Sequence, residues 1–164
     1  MQNTVGKLLE KIVAQRLTTY LELHDKFPPT LGGYRLNKET WFNAAVFAYD
    51  VYEGFQIKEE TCAAVLDLED AYNKVPYDYL MQLLLKLEVN PILIRWIAAV
   101  LFQRKIVLRC GSWSSEPQMI CPGLPQGSPL SPVLFNVYTV MITEQQLNGK
   151  GRTLSFADDI LIYR

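Results

Sequence analysis

Three aspartates and one amide side chain stand where this chain could do chemistry. Asp67 closes an apolar run, Thr61-Cys-Ala-Ala-Val-Leu-Asp, and Asp158 and Asp159 interrupt a second one, Leu154-Ser-Phe-Ala-Asp-Asp-Ile-Leu-Ile-Tyr163. Between them, Cys121 to Pro132 reads Cys-Pro-Gly-Leu-Pro-Gln-Gly-Ser-Pro-Leu-Ser-Pro and carries Pro122, Pro125, Pro129 and Pro132. Proline fixes φ and removes a donor, while Gly123 and Gly127 permit φ > 0 and a close backbone approach. A loop so constrained, with Gln126 beside a glycine, suits a surface on which something flat or phosphorylated is laid. Taken singly, each signal has a plainer reading. An Asp at a strand end is commonly a turn former as well as a place where α/β architectures expose ligands. An Asp pair at a hairpin bend is ordinarily structural, and a Pro-rich loop can be a connector that caps a core helix.

Positioning these groups takes strands, bends and helices. Cys62 to Leu68 is a short, continuously apolar run, as for a strand covered on both faces, and Asp67 ends it. Asp70 suits a cap for the following turn. Thr153 to Phe156, the bend 157–159 and the return Ile160 to Tyr163 form a hairpin, entered from a turn at Asn148-Gly-Lys-Gly-Arg. After the Pro-rich loop, Ser128 suits an N-cap and Pro129 the first helical position, and Leu130, Val133, Leu134, Val137, Tyr138 and Met141 follow at helical spacing. Upstream, Thr4 to about Leu23 forms an amphipathic helix. Its stripe is Val5, Leu8, Leu9, Ile12, Val13, Leu17, Tyr20 and Leu21, with Lys7, Glu10, Lys11 and Gln15 opposite. Lys26 to Arg35 is a turn-rich break. Asn37 to Tyr52 is a second helix, with Trp41, Phe42, Phe47 and Val51 giving bulk, the Trp and Phe residues as core, and Gly54 ending it. Pro76 to Leu87 is a leucine-dense core helix, and Asn90-Pro91 starts another that runs to Phe102. Lys105 to Cys110 and Glu116 to Cys121 alternate around Gly111-Ser-Trp-Ser-Ser as a β-hairpin, where Trp113 could stack a base or pack on its own lobe. His24 suits the surface or a helix end.

Composition narrows the field further. The 164 residues, 49% of them hydrophobic, suffice for the core of one domain. A net charge of −1 and a pI near 5.9 argue against a protein that coats nucleic acid by bulk charge, although Arg95, Arg104, Lys105 and Arg109 supply local positive charge. Cys62, Cys110 and Cys121 include no Cys-x-x-Cys pair, which predicts neither a zinc site nor a disulfide framework but a reduced, intracellular protein. Ile92 to Phe102 is too short for a membrane span and contains Arg95, and no basic-then-apolar targeting segment opens the chain.

The order Asp67, then Gly123-Leu-Pro-Gln-Gly-Ser-Pro129, then Ala157-Asp-Asp159 resembles motifs A, B and C of reverse transcriptases, nearest to those of LINE-type (non-LTR) retrotransposons, and the match covers essentially the whole chain. Lys7-Leu-Leu-Glu-Lys-Ile12 resembles the family's fingers helix. The resemblance implies an α+β right-hand polymerase fold, with an antiparallel palm sheet backed by helices and no thumb. Fingers would span about 1–60 and 76–121, palm about 61–75 and 122–164. It implies an RNA-directed DNA polymerase that transfers a dNTP onto a primer 3′-hydroxyl, with RNA template, DNA primer and dNTP as partners and no membrane. Asp67, Asp158 and Asp159 would be catalytic. With the carbonyl of Leu68 they would hold two Mg²⁺ ions, hard cations that prefer oxygen, with Mn²⁺ as a substitute. Asp67 and Asp158 would bridge the metals, and Asp159 would be the weaker ligand. Gly33-Tyr34-Arg35 resembles the family's Gly-Phe-Arg, whose arginine reaches the triphosphate, although Leu31-Gly32 precedes it where the family has Gln. Tyr72, five residues past Asp67, resembles the aromatic steric gate that rejects a 2′-hydroxyl, and Gln126 and Gly127 would contact the nucleotide and template side. An RNA-synthesising polymerase is disfavoured by Tyr72. Because the chain stops just after the Asp pair, primer-gripping palm elements, thumb and any endonuclease domain are expected outside it, and little polymerase activity is expected of the chain alone. The alternative reading is a non-catalytic remnant that binds nucleic acid or protein.

Overall fold

The computed structural model describes residues 4–102, 104–120, 123–144, 147 and 151–164. Among the described residues there are five helices, α1 (Thr4–Leu23), α2 (Thr40–Gln56), α3 (Tyr77–Lys86), α4 (Pro91–Phe102) and α5 (Ser131–Thr143), and a sheet of four strands against which α2 and α5 pack. The strands are β1 (Leu31–Gly32), β2 (Ala63–Asp67), β7 (Arg152–Phe156) and β8 (Asp159–Tyr163), in the order β1-β7-β8-β2. The α+β class stands, but the sheet is mixed rather than antiparallel. β1 lies parallel to β7, with Leu31 opposite Ser155 and Gly32 opposite Phe156, because the Ser155 amide already donates to the Thr30 carbonyl at 3.0 Å.

The core forms around α5. A helix apolar on most of its circumference must be enclosed, and Val133, Leu134, Phe135, Val137 and Val140 are buried there between α1, α3, β1 and β7. Leu80, Leu83 and Leu84 of α3 and Ile94, Ile97 and Leu101 of α4 complete the same cluster. Asn90 caps α4 as expected, its Oδ1 accepting the Ile92 amide at 2.8 Å.

Several local expectations shift. The buried stripe of α1 is Glu10, Ala14, Leu17 and Leu21, whereas Val5, Leu8, Leu9 and Ile12 face outward. Glu10 thus lies on the inward face rather than opposite it, and the partner described below compensates its carboxylate. α2 begins at Thr40 and runs through Gly54 to Gln56, since Asn37 takes φ 60 and cannot be helical. Trp41 is not core but 64% exposed, and Phe47 makes the inward contact, edge-on to Tyr163 at 4.9 Å. α5 starts at Ser131, three residues after the expected cap, because Ser128 Oγ accepts the Leu130 amide in a preceding turn. The hairpin after α4 is split into two short ladders, β3 (Lys105–Ile106) with β6 (Gln118–Met119) and β4 (Arg109–Cys110) with β5 (Trp113–Ser114). The expected end of that hairpin at Cys121, the start of the Pro-rich loop at 121–122, and most of the turn at 148–150 lie outside the described residues.

β2 departs furthest from its expected environment. It pairs only with β8, at the sheet edge, and all five of its residues are exposed. Cys62 and Arg164 exchange both backbone bonds, so alternate residues Ala64 and Leu66 also face β8. The N–H and C=O groups of Ala63, Val65 and Asp67 therefore point to the open edge. No described helix lies over β2, so the apolar run is not covered on both faces.

Candidate active site

The three aspartates lie at one end of the sheet. Asp67 is the last residue of β2, and register sets it opposite Asp159, the first of β8. That pair is of the non-hydrogen-bonded kind, in which opposed side chains lie on the same face and approach most closely. Asp158 sits in the two-residue bend that Phe156 and Asp159 close, and its carbonyl accepts the Leu68 amide at 3.2 Å. Asp67, Leu68, Tyr72, Gln126 and Asp158 line one cleft of about 350 Å³. A larger cleft of about 630 Å³, near Asp50, Arg152 and Tyr163 at the other end of the sheet, contains none of them. Among the described residues no three His, Cys, Asp or Glu side chains converge as a ready-made cage; mutual repulsion of like charges opposes such convergence. The donor types still suit a hard divalent cation, being carboxylate and carbonyl oxygens without histidine or thiolate.

The Pro-rich loop reaches this cleft by docking backbone to backbone. Leu124 N donates to Tyr72 O at 2.7 Å, and Gly123 lies so close to Asn73 that a Cβ there would come within 2.5 Å of its carbonyl oxygen. At φ 99, Gly123 also occupies a region that favours glycine. Its own carbonyl accepts from Tyr77 Oη at 2.6 Å and from the Arg104 guanidinium at 2.6 Å. Arg104, expected as part of a basic patch, is thus a brace for the loop. The result is that Gln126 and Gly127 stand beside Tyr72.

Tyr72 is half-buried, with its ring stacked on Phe135 of α5 at 5.0 Å and 9°. Burial, and then the neighbouring Tyr34 hydroxyl, push its phenol well above the ordinary 10.0. Asp70 turns away into a local turn at φ 58, accepting from Asn73 Nδ2 at 2.7 Å.

Arg35 stands apart from this group. Its guanidinium is engaged by both Glu22 carboxylate oxygens at 2.7 Å and by the carbonyls of Pro28 and Leu31 at 2.7 Å, over the Phe27 ring. Its side chain is almost entirely buried, so the expected reach toward a triphosphate is replaced by a pin on the 27–35 loop. What that loop brings to the site is backbone. Gly33, at φ 77, would clash with Ala157 N at 2.6 Å if it carried a Cβ, so it packs directly behind the bend that presents Asp158. Buried Asn136 Nδ2 holds the Gly33 carbonyl at 2.9 Å.

Three contributors were not legible as such in the sequence. Tyr34 lines a groove with Tyr72, Gln126 and Gly127. Asn136 was hidden as a lone amide in an apolar helix. Glu10, only 2% exposed, accepts the Ser128 hydroxyl beneath the Gln126-Gly127 turn. An acid on an otherwise apolar i, i+4, i+7 stripe with Ala14 and Leu17 was the available signal for Glu10.

Comparison with known proteins gives concordant results. The model of the family described as reverse transcriptase (RNA-dependent DNA polymerase) matches residues 1–164. An RNA-directed DNA polymerase from mobile element jockey of Drosophila funebris is 26% identical over 97% of the chain, and a probable RNA-directed DNA polymerase from transposon BS of Drosophila melanogaster is 27% identical over 98%. A retrovirus-related Pol polyprotein from type-1 retrotransposable element R2 of Popillia japonica is 28% identical over 98%. The chain spans 18% of the length of each of the first two relatives and 24% of the third.

Proposed function

We propose, for a chain that belongs to the reverse transcriptase (RNA-dependent DNA polymerase) family, that the cleft between Asp67, Asp158 and Gln126 is the nucleotidyl-transfer site of a non-LTR retrotransposon polymerase domain, acting with RNA template, DNA primer and dNTP. The observation that carries this reading is the convergence, on one cleft, of two aspartates from elements 91 positions apart (158 − 67), an aromatic ring and the Gln126 loop, with Asp159 directly across the ladder from Asp67.

Asp67, Asp158 and Asp159, with the carbonyl of Leu68, would hold the two Mg²⁺ ions. Bound magnesium supplies Lewis acidity toward the primer hydroxyl and charge neutralisation on the leaving pyrophosphate. The remaining work belongs to the chain's own groups. Asp67 and Asp159, fixed by sheet register, hold negative charge at a set separation before any substrate arrives, so little reorganisation is needed. Gln126 and Gly127 orient the nucleotide, on a loop braced by Arg104 and Tyr77. Tyr72, held by its stack on Phe135, occupies the space that a 2′-hydroxyl would need. On this reading β2, β7, β8 and α5 belong to the palm, and α1, α2 and the split hairpin to the fingers.

The test joins the 164-residue chain to the remaining polymerase sequence of the jockey relative and measures primer extension on RNA with Mg²⁺. Asp67→Asn and Asp158→Asn are expected to lower the rate by about a hundredfold or more, since losing metal-based catalysis costs several kcal/mol at about 1.4 per tenfold. Asp70→Asn, engaged only in its own turn, should stay within about threefold. Extension retained in Asp158→Asn would refute the site.

A further inference from the structure

Gln126 and Gly127 are exposed at the tip of a turn whose Ser128 end is buried. The Ser128 amide donates to the Pro125 carbonyl at 3.2 Å, and Gly127 takes φ 83, so residues 125–128 form a closed turn with a left-handed glycine in its third position. Ser131 Oγ donates to the same carbonyl at 2.7 Å, and Ser128 Oγ accepts the Leu130 amide at 3.1 Å. These bonds are local. They shape the turn and tie it to the start of α5. On the upstream side the loop is also held from a distance, Leu124 by Tyr72 and Gly123 by Tyr77 and Arg104. On the downstream side the matching long-range bond runs from the Ser128 hydroxyl to Glu10 Oε2 on α1.

Glu10 is an unfavourable residue for the place it occupies. It is 2% exposed and shares the inward face of α1 with Ala14, Leu17 and Leu21, where a leucine would pack without needing a partner. A carboxylate taken out of water costs free energy unless donors replace its hydration, and exchanging a buried ionic group for an apolar one of similar size is often neutral or stabilising. Packing therefore does not account for an acid here. A fixed acceptor for one hydroxyl does. That hydroxyl belongs to the residue after Gly127 and stands two positions from Gln126, which lines the cleft with Asp67, Tyr72 and Asp158.

We infer that Glu10 is a positioning residue for nucleotide binding: acting through Ser128, it sets where the Gln126-Gly127 tip stands at the cleft. The inference rests on the reading of that tip as a nucleotide contact. With Ser128 anchored to α1, and Gly123 to Tyr77 and Arg104, the loop is pinned on both sides of the tip. Without Glu10 the turn keeps its shape through its local bonds and loses its placement. A displaced tip weakens ground-state and transition-state contacts alike, so the effect enters KM rather than kcat.

The experiment measures single-nucleotide extension at varied dNTP in the polymerase formed by joining the chain to the jockey relative's remaining sequence, with thermal melts and amide exchange on the 164-residue chain. Glu10→Leu is expected to raise KM for dNTP about tenfold with kcat within about threefold of wild type. It should speed exchange of the Ser128 and Leu130 amides while leaving the melting temperature unchanged or higher. Glu10→Gln, whose amide oxygen still accepts the hydroxyl, should keep KM within about threefold. Ser128→Ala should reproduce the rise, and E10L/S128A together should be no worse than the more impaired single variant, because both remove the same bond. Gln126→Ala reports on the tip itself. If it raises KM while Glu10→Leu stays at the wild-type value, or if Glu10→Gln is as impaired as Glu10→Leu, or if the Glu10 and Ser128 effects multiply in the double variant, the inference fails although the nucleotide site stands. Should Glu10→Leu not fold, a wild-type KM in Ser128→Ala overturns the inference by itself. If Gln126→Ala leaves KM unchanged, the tip is not a nucleotide contact, and that reading and the inference fail together.

Discussion

The phenols beside the sheet carry their environment in their titration. Tyr72 is raised from 10.0 by burial and then by Tyr34, and Tyr163 is raised by burial and then by donating to Asp50 at 2.6 Å. The sign of the linkage follows. A phenol whose folded pKa exceeds its unfolded one keeps its proton more firmly in the native state, so its contribution is full below the unfolded value of about 10 and is lost as pH rises through the folded one. Tyr49 is raised too, by donating to Glu53, so three of the nine tyrosines are expected to ionise late in an absorbance titration of the folded chain. Urea melts should lose stability as pH rises above the unfolded phenol value of about 10, and Tyr72→Phe should make that loss shallower. An unaltered slope in Tyr72→Phe would contradict the burial of this hydroxyl.

At the scale of elements, β2 joins a proposed catalytic position to an unprotected edge. Ala64 and Leu66 face β8, whereas Ala63, Val65 and Asp67 point away from it. Hydrogen exchange should therefore alternate along the strand, slow at Ala64, Leu66 and Leu68 and fast at Ala63, Val65 and Asp67. Uniform protection would show that the edge is paired in solution. The arrangement has a cost, because Val65 is 75% exposed in a run whose composition suits burial. It also leaves Asp67 accessible at the cleft. α5 shows the opposite solution. It is enclosed by apolar neighbours and carries two groups that serve the site from within, Phe135 under the Tyr72 ring and Asn136 on the Gly33 carbonyl.

For the whole molecule, the site links segments that lie far apart in sequence. Glu10 of α1 meets Ser128 of the loop, Asn136 of α5 meets Gly33, and Leu124 meets Tyr72, so α1, the loop, the sheet and α5 share one polar framework. The net charge of −1 hides a concentration of negative charge at Asp67, Asp158 and Asp159. Carboxylates facing each other across a ladder oppose folding, and a cation that binds only the folded form reverses this by mass action. Mg²⁺ is therefore expected to raise the melting temperature of wild type. Asp67→Asn should melt higher than wild type in EDTA and lose most of the Mg²⁺-dependent rise. An undiminished Mg²⁺ effect in Asp67→Asn would place cation binding elsewhere. Among the described residues no helix is long and apolar enough to cross a membrane, in keeping with the charged interruption that Arg95 makes in α4.

What the sequence by itself determined was local. The end of an apolar run at Asp67, the bend at Ala157-Asp158, the cap at Asn90 and the Pro-Gly constraint from Gly123 to Pro132 are all written within a few residues, because turn chemistry and strand length act over that range. The order of those segments carried the family as well. Tertiary structure decided what depends on partners distant in sequence. Arg35 reads as a phosphate ligand until Glu22 and two carbonyls engage it, and Glu10 reads as a solvated acid until Ser128, 118 positions away, comes to lie over it. Periodicity gave α1 an apolar stripe, but which stripe turned inward depended on that pair and on α5. β2 has the composition of a covered strand, yet its place at the edge follows from sheet order, to which no local pattern responds. Tyr34 looked like a variant of a motif position. Only with Gly33 set against Ala157 and Tyr72 set on Phe135 do the two tyrosines share a groove, because both placements come from packing between elements and neither from the residues beside them.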